Sequence, residues 1–274
     1  MPKSEMPLLN RINAVLARES SAWMILVLTV VLTIVGWRQA EQDQYLRTQD
    51  RFVYRATQET SLILERMLAY EQVLHGGAAF FAASEAVSRA EWQTYISQLE
   101  LDKTLPGIQG TGFALMIPET ARSAHEQSIR AEGFPDYAIH PPGVRSLYSS
   151  VVLIEPFSGN NLHALGYDMY ADPVRREAME RARDSGRPAL SGKVNLVQDM
   201  AQPPQPAFVI NLPVYRNGSP HATPEQRRAA LTGFVFSPFR AGDLMGEIFK
   251  DPQKDVEVEL FDGEPLAANL LYRS

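Results

Sequence analysis

Hydrophobic and polar positions divide this chain into a membrane-like segment, a helical segment and a longer mixed region. Residues 20–37 read SSAWMILVLTVVLTIVGW, eighteen positions without a charge. As a helix they reach about 27 Å, close to the thickness of a bilayer core. Trp23 and Trp37 lie near the two ends, where aromatic rings prefer the membrane boundary. This pattern predicts a transmembrane helix at 21–37.

A cleavable signal peptide is the alternative for this segment. Its apolar core is normally shorter and is followed by a small-x-small cleavage site, which GWRQAEQDQ at 36–44 lacks. Basic residues flank the span on both sides: Lys3, Arg11 and Arg18 before it, and Arg38, Arg47 and Arg51 after it. Their balance gives only a faint preference for a cytoplasmic N-terminus at 1–20. We expect a retained anchor in the cell inner membrane, with the following region in the periplasm or outside the cell.

Residues 38–83 predict a long helix, because they are rich in good helix formers and lack Pro. Apolar and small residues recur there at alternating three- and four-residue steps, at Val53, Ala56, Thr60, Ile63, Met67, Tyr70 and Leu74. This stripe has two interpretations: it packs onto its own domain, or it is a stalk that pairs with a second subunit. Both remain open at this point. We expect a homodimer through this stalk helix.

The remaining sequence predicts an α+β fold with antiparallel sheets. Ser88 and Glu91 form a capping-box pattern, while Asp172, Pro173 and Gly186 fit the cap, first position and end of another helix. Four apolar runs predict strands. They are TGFALMI (111–117), AFVINLPVY (207–215), LTGFVFS (231–237) and VEVELF (256–261).

Composition excludes several function classes. The chain has 26 Lys+Arg against 32 Asp+Glu, a net charge of −6, which argues against nucleic-acid binding. It has no Cys, and its five His are scattered without metal-ligand spacing. We therefore expect no metal and no cofactor.

Several stretches resemble the CHASE family of extracytoplasmic sensory domains found on histidine kinases and nucleotide cyclases. They are LPGIQGTGFA (105–114), EPFSGNNLHALGYDMYADPVRREAMERARDSGRPALSG (155–192), LVQ (196–198) and NLPVY (211–215). The resemblance implies a transmembrane helix, a stalk and two PAS-like lobes, the membrane-distal one at 84–211 and the membrane-proximal one at 212–274. Because the chain stops at Ser274, we expect the second lobe to be incomplete and the output module to lie outside these residues.

The resemblance also implies a ligand site in the distal lobe. In plant members that bind cytokinins, a carboxylate just before the position of Arg176 holds the adenine ring, and here Arg175 stands at that place. A guanidinium donates hydrogen bonds and cannot accept them from adenine. The resemblance therefore implies a small anionic ligand such as a carboxylate. The implied site residues are Asp168, Met169, Arg175, Arg176, Val197 and Asn211. In the alternative, Arg175 points outward and only Arg176 matters.

These observations favour a sensor that binds a small molecule and relays the event through the stalk. Two alternatives remain: a non-catalytic module that binds another envelope protein, and an envelope hydrolase. The sequence supplies no nucleophile–base pair or metal site at recognisable spacing, so we expect no enzymatic activity.

Overall fold

The first element is a single long helix. The computed structural model describes residues 6–199, 203–249 and 257–274, and α1 spans Met6–Ala82. Contacts divide the chain into two compact units, of which the first ends at Gln58 and the second is Glu59–Ser274. Within Ala22–Ala82, an 18-residue window has a mean hydropathy of 1.6 and is entirely exposed. In the described residues this is one helix long and apolar enough to cross a membrane.

Six further helices and seven strands follow α1 in the described part of the chain. The helices are α2 (Arg89–Gln98), α3 (Leu101–Thr104), α4 (Arg122–Ala131), α5 (Pro173–Ser185), α6 (Pro224–Ala230) and α7 (Ala241–Ile248). The strands are β1 (Thr111–Pro118), β2 (Leu147–Glu155), β3 (Ala189–Leu190), β4 (Ala207–Tyr215), β5 (Leu231–Arg240), β6 (Glu259–Phe261) and β7 (Leu270–Arg273). Short 3₁₀-helices lie at Glu119–Ala121, Gly159–Ala164, Met169–Ala171, Val197–Asp199 and Ala267–Asn269.

The predicted helix caps are confirmed. Ser88 Oγ accepts a hydrogen bond from the Glu91 amide at 3.3 Å, and the Glu91 carboxylate accepts one from the Ser88 amide at 2.8 Å. Asp172 caps α5 by accepting from two first-turn amides, and Pro173 occupies the first helical position. Gly186 ends α5 with φ 72°, a left-handed conformation that glycine adopts without a steric penalty.

The main sheet is antiparallel, with the order β2-β1-β5-β4-β3, and β6 pairs with β7 in a separate two-stranded sheet. The strands predicted at 111–117, 207–215 and 231–237 are confirmed. Of the run 256–261, position 256 lies outside the described residues and Glu259–Phe261 forms β6. The α+β class is therefore confirmed, while the two PAS-like lobes stay a prediction. The boundary placed at 211/212 falls inside β4, whose pairing with β5 keeps both strands in the first sheet.

The main sheet is buried on both faces, and β4 shows how. Its residues Phe208, Ile210, Leu212 and Val214 belong to one core, the α1-side core, which includes the end of α1, α2 and α7. Its residues Ala207 and Val209 belong to a second core, the α5-side core, which is covered by α5 and the loops around it. Because side chains alternate along a strand, successive positions of β4 face opposite cores.

The end of α1 packs onto its own domain. Tyr70 and Leu74 are fully buried in the α1-side core, and Ile63 and Met67 pack against it. The Tyr70 hydroxyl donates to the Pro106 carbonyl at 2.7 Å, which fixes the helix to the loop before β1. The N-terminal part of the predicted stripe differs, since Val53 is 55% exposed. The C-terminal part of the stripe, from Ile63 to Leu74, therefore makes an intramolecular contact.

We expect Gly233→Ala to destabilise the domain, because β1 and β5 approach closely at this position. A Cβ there would collide with the Ala114 carbonyl and lie 2.5 Å from the Phe113 ring. Such overpacking typically costs about 1–3 kcal/mol. Gly242→Ala is the control, since a Cβ there meets nothing within 4 Å. Thermal unfolding of the detergent-solubilised chain measures both, and equal melting temperatures for the two variants would contradict the packing described.

Candidate functional site

Arg175 is a buried cation in the first turn of α5. Only 3% of the residue is exposed. Its guanidinium donates to the Tyr167 hydroxyl and, at 2.6 Å, to the Asn195 carbonyl, and it lies 4.9 Å from the Tyr167 ring centroid. The Asp172 carboxylate is 3.7 Å from Nη1. These contacts offset the unfavourable position of a cation at a helix N-terminus.

Arg176 lies outside this arrangement, because its side chain is exposed to solvent. Its backbone amide donates to the Asp172 carbonyl at 2.9 Å, an ordinary contact of the first helical turn. Of the two adjacent arginines, Arg175 is therefore the one that points into the domain. The alternative in which Arg175 points outward does not hold.

Asp168 ties the loop before α5 to strand β2. Its Oδ1 accepts from the Ser149 amide at 2.8 Å and from the Tyr170 amide at 3.0 Å. Its Oδ2 lies 3.3 Å from Arg145 Nη1, an ion contact without hydrogen-bond geometry. Burial raises the pKa of this carboxyl, and the two amides and Arg145 oppose that shift. Asp168 therefore serves as a structural clamp at the edge of the α5-side core.

Met169 and Val197 both belong to the α5-side core. Met169 follows Asp168 in a 3₁₀-helix, Val197 begins another, and both belong to the cluster that includes Met179 and Ala182 of α5. Asn211 lies in the middle of β4, opposite Ala189 of β3. By strand alternation it shares the face of Val209, which belongs to the same core. The fold thus places Met169, Val197 and Asn211 on one face of the sheet.

Four buried polar atoms on the elements around this core have no hydrogen-bond partner among the described residues. They are Ser149 Oγ, Asp168 Oδ2, Tyr170 Oη and Asn211 Oδ1. Burial raises the pKa of Tyr170 to about 12, so its phenol stays protonated and can donate. Buried polar groups in native proteins are normally hydrogen-bonded, and each unsatisfied one costs about 1–3 kcal/mol. This core therefore offers hydrogen-bonding capacity that its own residues do not use.

A cleft of about 550 Å³ opens beside the first turns of α5. Val174 and Arg181 of α5 line it, together with Ser191, Gly192 and Asp262. Asp262 also accepts from the Lys193 amide at 2.7 Å, which joins the β6–β7 hairpin to the loop after β3. In the described residues no group of three or more His, Cys, Asp or Glu side chains could hold a metal ion.

Sequence reasoning missed the partners of the site residues. Tyr167 and Asn195 hold Arg175, and Ser149 holds Asp168, yet none of the three belongs to the predicted set. Strand β2 was also not predicted, although VVLI at 151–154 is β-branched and apolar and precedes Pro156. That run is the signal that could have located β2 and, with it, Ser149.

Comparison with known proteins identifies the family. The profile of the CHASE domain matches residues 85–272, so the chain belongs to the CHASE domain family. The chain is also similar to hybrid signal transduction histidine kinase A of Dictyostelium discoideum, at 25% identity over 143 residues. That match covers 49% of this chain and 7% of the kinase.

The family defines the broad class of this protein. CHASE domains are sensory, extracytoplasmic and non-catalytic, and in general they bind small-molecule ligands. The matched residues begin just after α1 and include the main sheet and all but the last residue of the β6–β7 hairpin. The chain is therefore a sensory region of the kind that receptors carry.

We expect two buried asparagines to respond in opposite ways to replacement by Leu. Asn161 donates to the Gln109 and Pro156 carbonyls at 2.9 and 3.0 Å, whereas the Asn211 amide makes one long contact of 3.4 Å and its Oδ1 has no partner. Asn161→Leu leaves two acceptors unpaired and should cost at least about 2 kcal/mol, while Asn211→Leu should be neutral or stabilising. Thermal unfolding compares them. A drop in melting temperature for Asn211→Leu as large as that for Asn161→Leu would contradict this expectation and show that Asn211 stabilises the fold.

Proposed function

We propose that this chain is the ligand-sensing region of a membrane-anchored signal-transduction receptor of the histidine kinase or diguanylate cyclase type. The observation that carries the proposal is the CHASE match at 85–272, directly after a helix apolar enough to cross a membrane. In this proposal residues 21–37 are retained in the inner membrane, and the sensory region lies in the periplasm or outside the cell. The β6–β7 hairpin then belongs to the membrane-proximal lobe, proposed at 212–274.

We further propose that the ligand binds on the α5 face of the main sheet, near Met169, Arg175, Val197 and Asn211. The unpaired Asn211 Oδ1 and the protonated Tyr170 hydroxyl supply polar contacts inside an apolar wall. Such a mixture of many apolar groups and few polar ones is typical of small-molecule sites.

Arg175 makes an anion the favoured ligand of this site. Two of its contacts are neutral acceptors, and its carboxylate neighbour Asp172 is 3.7 Å away. A ligand carboxylate that replaces the Tyr167 or Asn195 contact gains a charge-assisted and bidentate pair. A cytokinin lacks that negative charge, so the same guanidinium disfavours it. The ligand is therefore expected to be a small carboxylate.

The ligand proposal predicts a specific loss at Arg175. The full chain in detergent is screened by thermal shift against small carboxylates and adenine-type compounds, because a ligand of the folded state raises the melting temperature. We expect a carboxylate to stabilise wild type and Arg176→Ala but not Arg175→Ala, whose binding weakens by about 2–5 kcal/mol. Arg175→Lys keeps the charge and tests the bidentate geometry. Unchanged carboxylate affinity in Arg175→Ala, or preferential binding of an adenine-type compound, contradicts the proposal.

A parallel homodimer through α1 is also proposed, but on a different face from the predicted stripe. Ile63 and Met67 pack against their own domain, so they are not free to pair with a second chain. Leu64 and Leu68 are 59% and 60% exposed and stand one helical turn apart. Exposed leucines at this spacing fit the same face of a second copy, and anchoring in one membrane makes the two helices parallel.

Cysteine crosslinking tests which face of α1 pairs. We expect Leu64→Cys and Leu68→Cys to form disulfide-linked dimers in intact membranes under oxidising conditions. Leu62→Cys is the matched control, because Leu62 is also exposed, at 40%, but points about 160° away from Leu64. Crosslinking at position 62 as fast as at 64 and 68, or no crosslink at either of those two, would rule out this interface.

A further inference from the structure

A second cleft lies on the face of the sheet opposite α5. It holds about 620 Å³, within the range of small-molecule sites. Its floor consists of Phe113 and Leu115 from β1 and Val152 and Leu153 from β2. The start of α2, the last turn of α1 and one side of α4 form its walls. We call it the Arg89 cleft, after its most distinctive residue.

An irregularity in the sheet places Arg89 in this cleft. Phe113 pairs with Leu153 and Ala114 pairs with Val151, so Val152 has no partner in β1. Arg89 Nη1 donates to the Val152 carbonyl, which the bulge leaves outside the ladder. The bulge also turns two successive side chains of β2, at 152 and 153, toward the cleft.

The polar groups of the Arg89 cleft balance to zero charge. Arg89 Nε donates to Glu132 Oε2 at 3.0 Å, and the guanidinium carbon lies 4.4 Å from the Phe134 ring centroid. His125 also lines the cleft, with Nε2 2.8 Å from the Tyr137 hydroxyl. Burial lowers the pKa of His125, so the ring is mostly neutral at neutral pH.

Hydrogen-bonding capacity remains on both members of the ion pair. Within the described residues, Arg89 Nη2 and Glu132 Oε1 make no hydrogen bond, so this ion pair keeps one donor atom and one acceptor atom available. A carbonyl oxygen of a ligand can accept from Arg89 Nη2, and an N–H of the same ligand can donate to Glu132 Oε1. An anion would meet the Glu132 carboxylate, and a cation would meet the Arg89 guanidinium.

We propose that the Arg89 cleft is a second ligand site, which takes a neutral molecule with an apolar ring or chain and an amide-like edge. The apolar part lies on Phe113, Leu115 and Val152, and the amide edge pairs with Arg89 and Glu132. Phe81, in the last turn of α1, stacks on Phe113 with ring centroids 4.1 Å apart. An occupant of the cleft therefore contacts the end of α1 directly, and this site is independent of the ligand site on the α5 face.

Three probes with the same ring test the charge preference. They are 2-naphthamide, 2-naphthoate and 2-(aminomethyl)naphthalene, measured by equilibrium dialysis against the full chain in lipid nanodiscs, with empty nanodiscs subtracted. We expect 2-naphthamide to bind at least tenfold more tightly than either charged probe. Equal affinities for the three probes, or no binding of 2-naphthamide, would overturn the proposal.

Variants then locate the site. Ser128→Phe fills the cleft from the exposed face of α4 and should abolish 2-naphthamide binding, whereas Ser123→Phe, exposed on the same helix and outside the cleft, should leave it unchanged. Glu132→Gln leaves the guanidinium uncompensated and should shift the preference at least tenfold toward 2-naphthoate. Retained binding in Ser128→Phe, or an unaltered preference in Glu132→Gln, refutes the assignment. Melting temperatures confirm that each variant is folded.

Discussion

The main sheet is buried on both faces, and this burial governs how the domain packs. The end of α1, α2 and α7 cover one face and α5 covers the other, so β4 has no solvent side to which a polar residue could turn. Successive positions of β4 therefore face the two cores in turn. A polar side chain such as Asn211 is desolvated wherever it stands on this strand, and its hydrogen bonds decide its cost.

The two cores meet this constraint differently. The α1-side core is mostly apolar and aromatic, and the polar tips of Tyr70 and Trp92 both reach a backbone carbonyl. The α5-side core keeps unpaired polar atoms and a buried guanidinium at its rim. The first arrangement favours stability, whereas the second retains hydrogen-bonding capacity at some cost in stability. This asymmetry supports the proposed anion site on the α5 side.

The end of α1 packs directly on the main sheet. Tyr70 contacts Phe239 of β5, and Phe81 contacts Phe113 of β1, so the last turns of the helix rest on two central strands. Protein interiors are close-packed, and a shift of the sheet is therefore transmitted to neighbours in contact with it. The Arg89 cleft lies beside the second of these contacts, where the bulge at Val152 interrupts the regular ladder.

Features that depend on local chemistry could be predicted from the amino-acid sequence. The apolar span, the capping box at Ser88, the ends of α5 and three strands of the sheet follow from composition, caps and alternation, which act over a few residues. Three other features appear only in the folded domain. Ile63 and Met67 face their own domain, Arg175 rather than Arg176 turns inward, and Tyr167 and Asn195 bind the Arg175 guanidinium. The physical reason is that these outcomes depend on which surfaces of the folded sheet lie against residues distant in the sequence. A hydrophobic pattern indicates which side chains are buried, but it does not indicate which element they pack against.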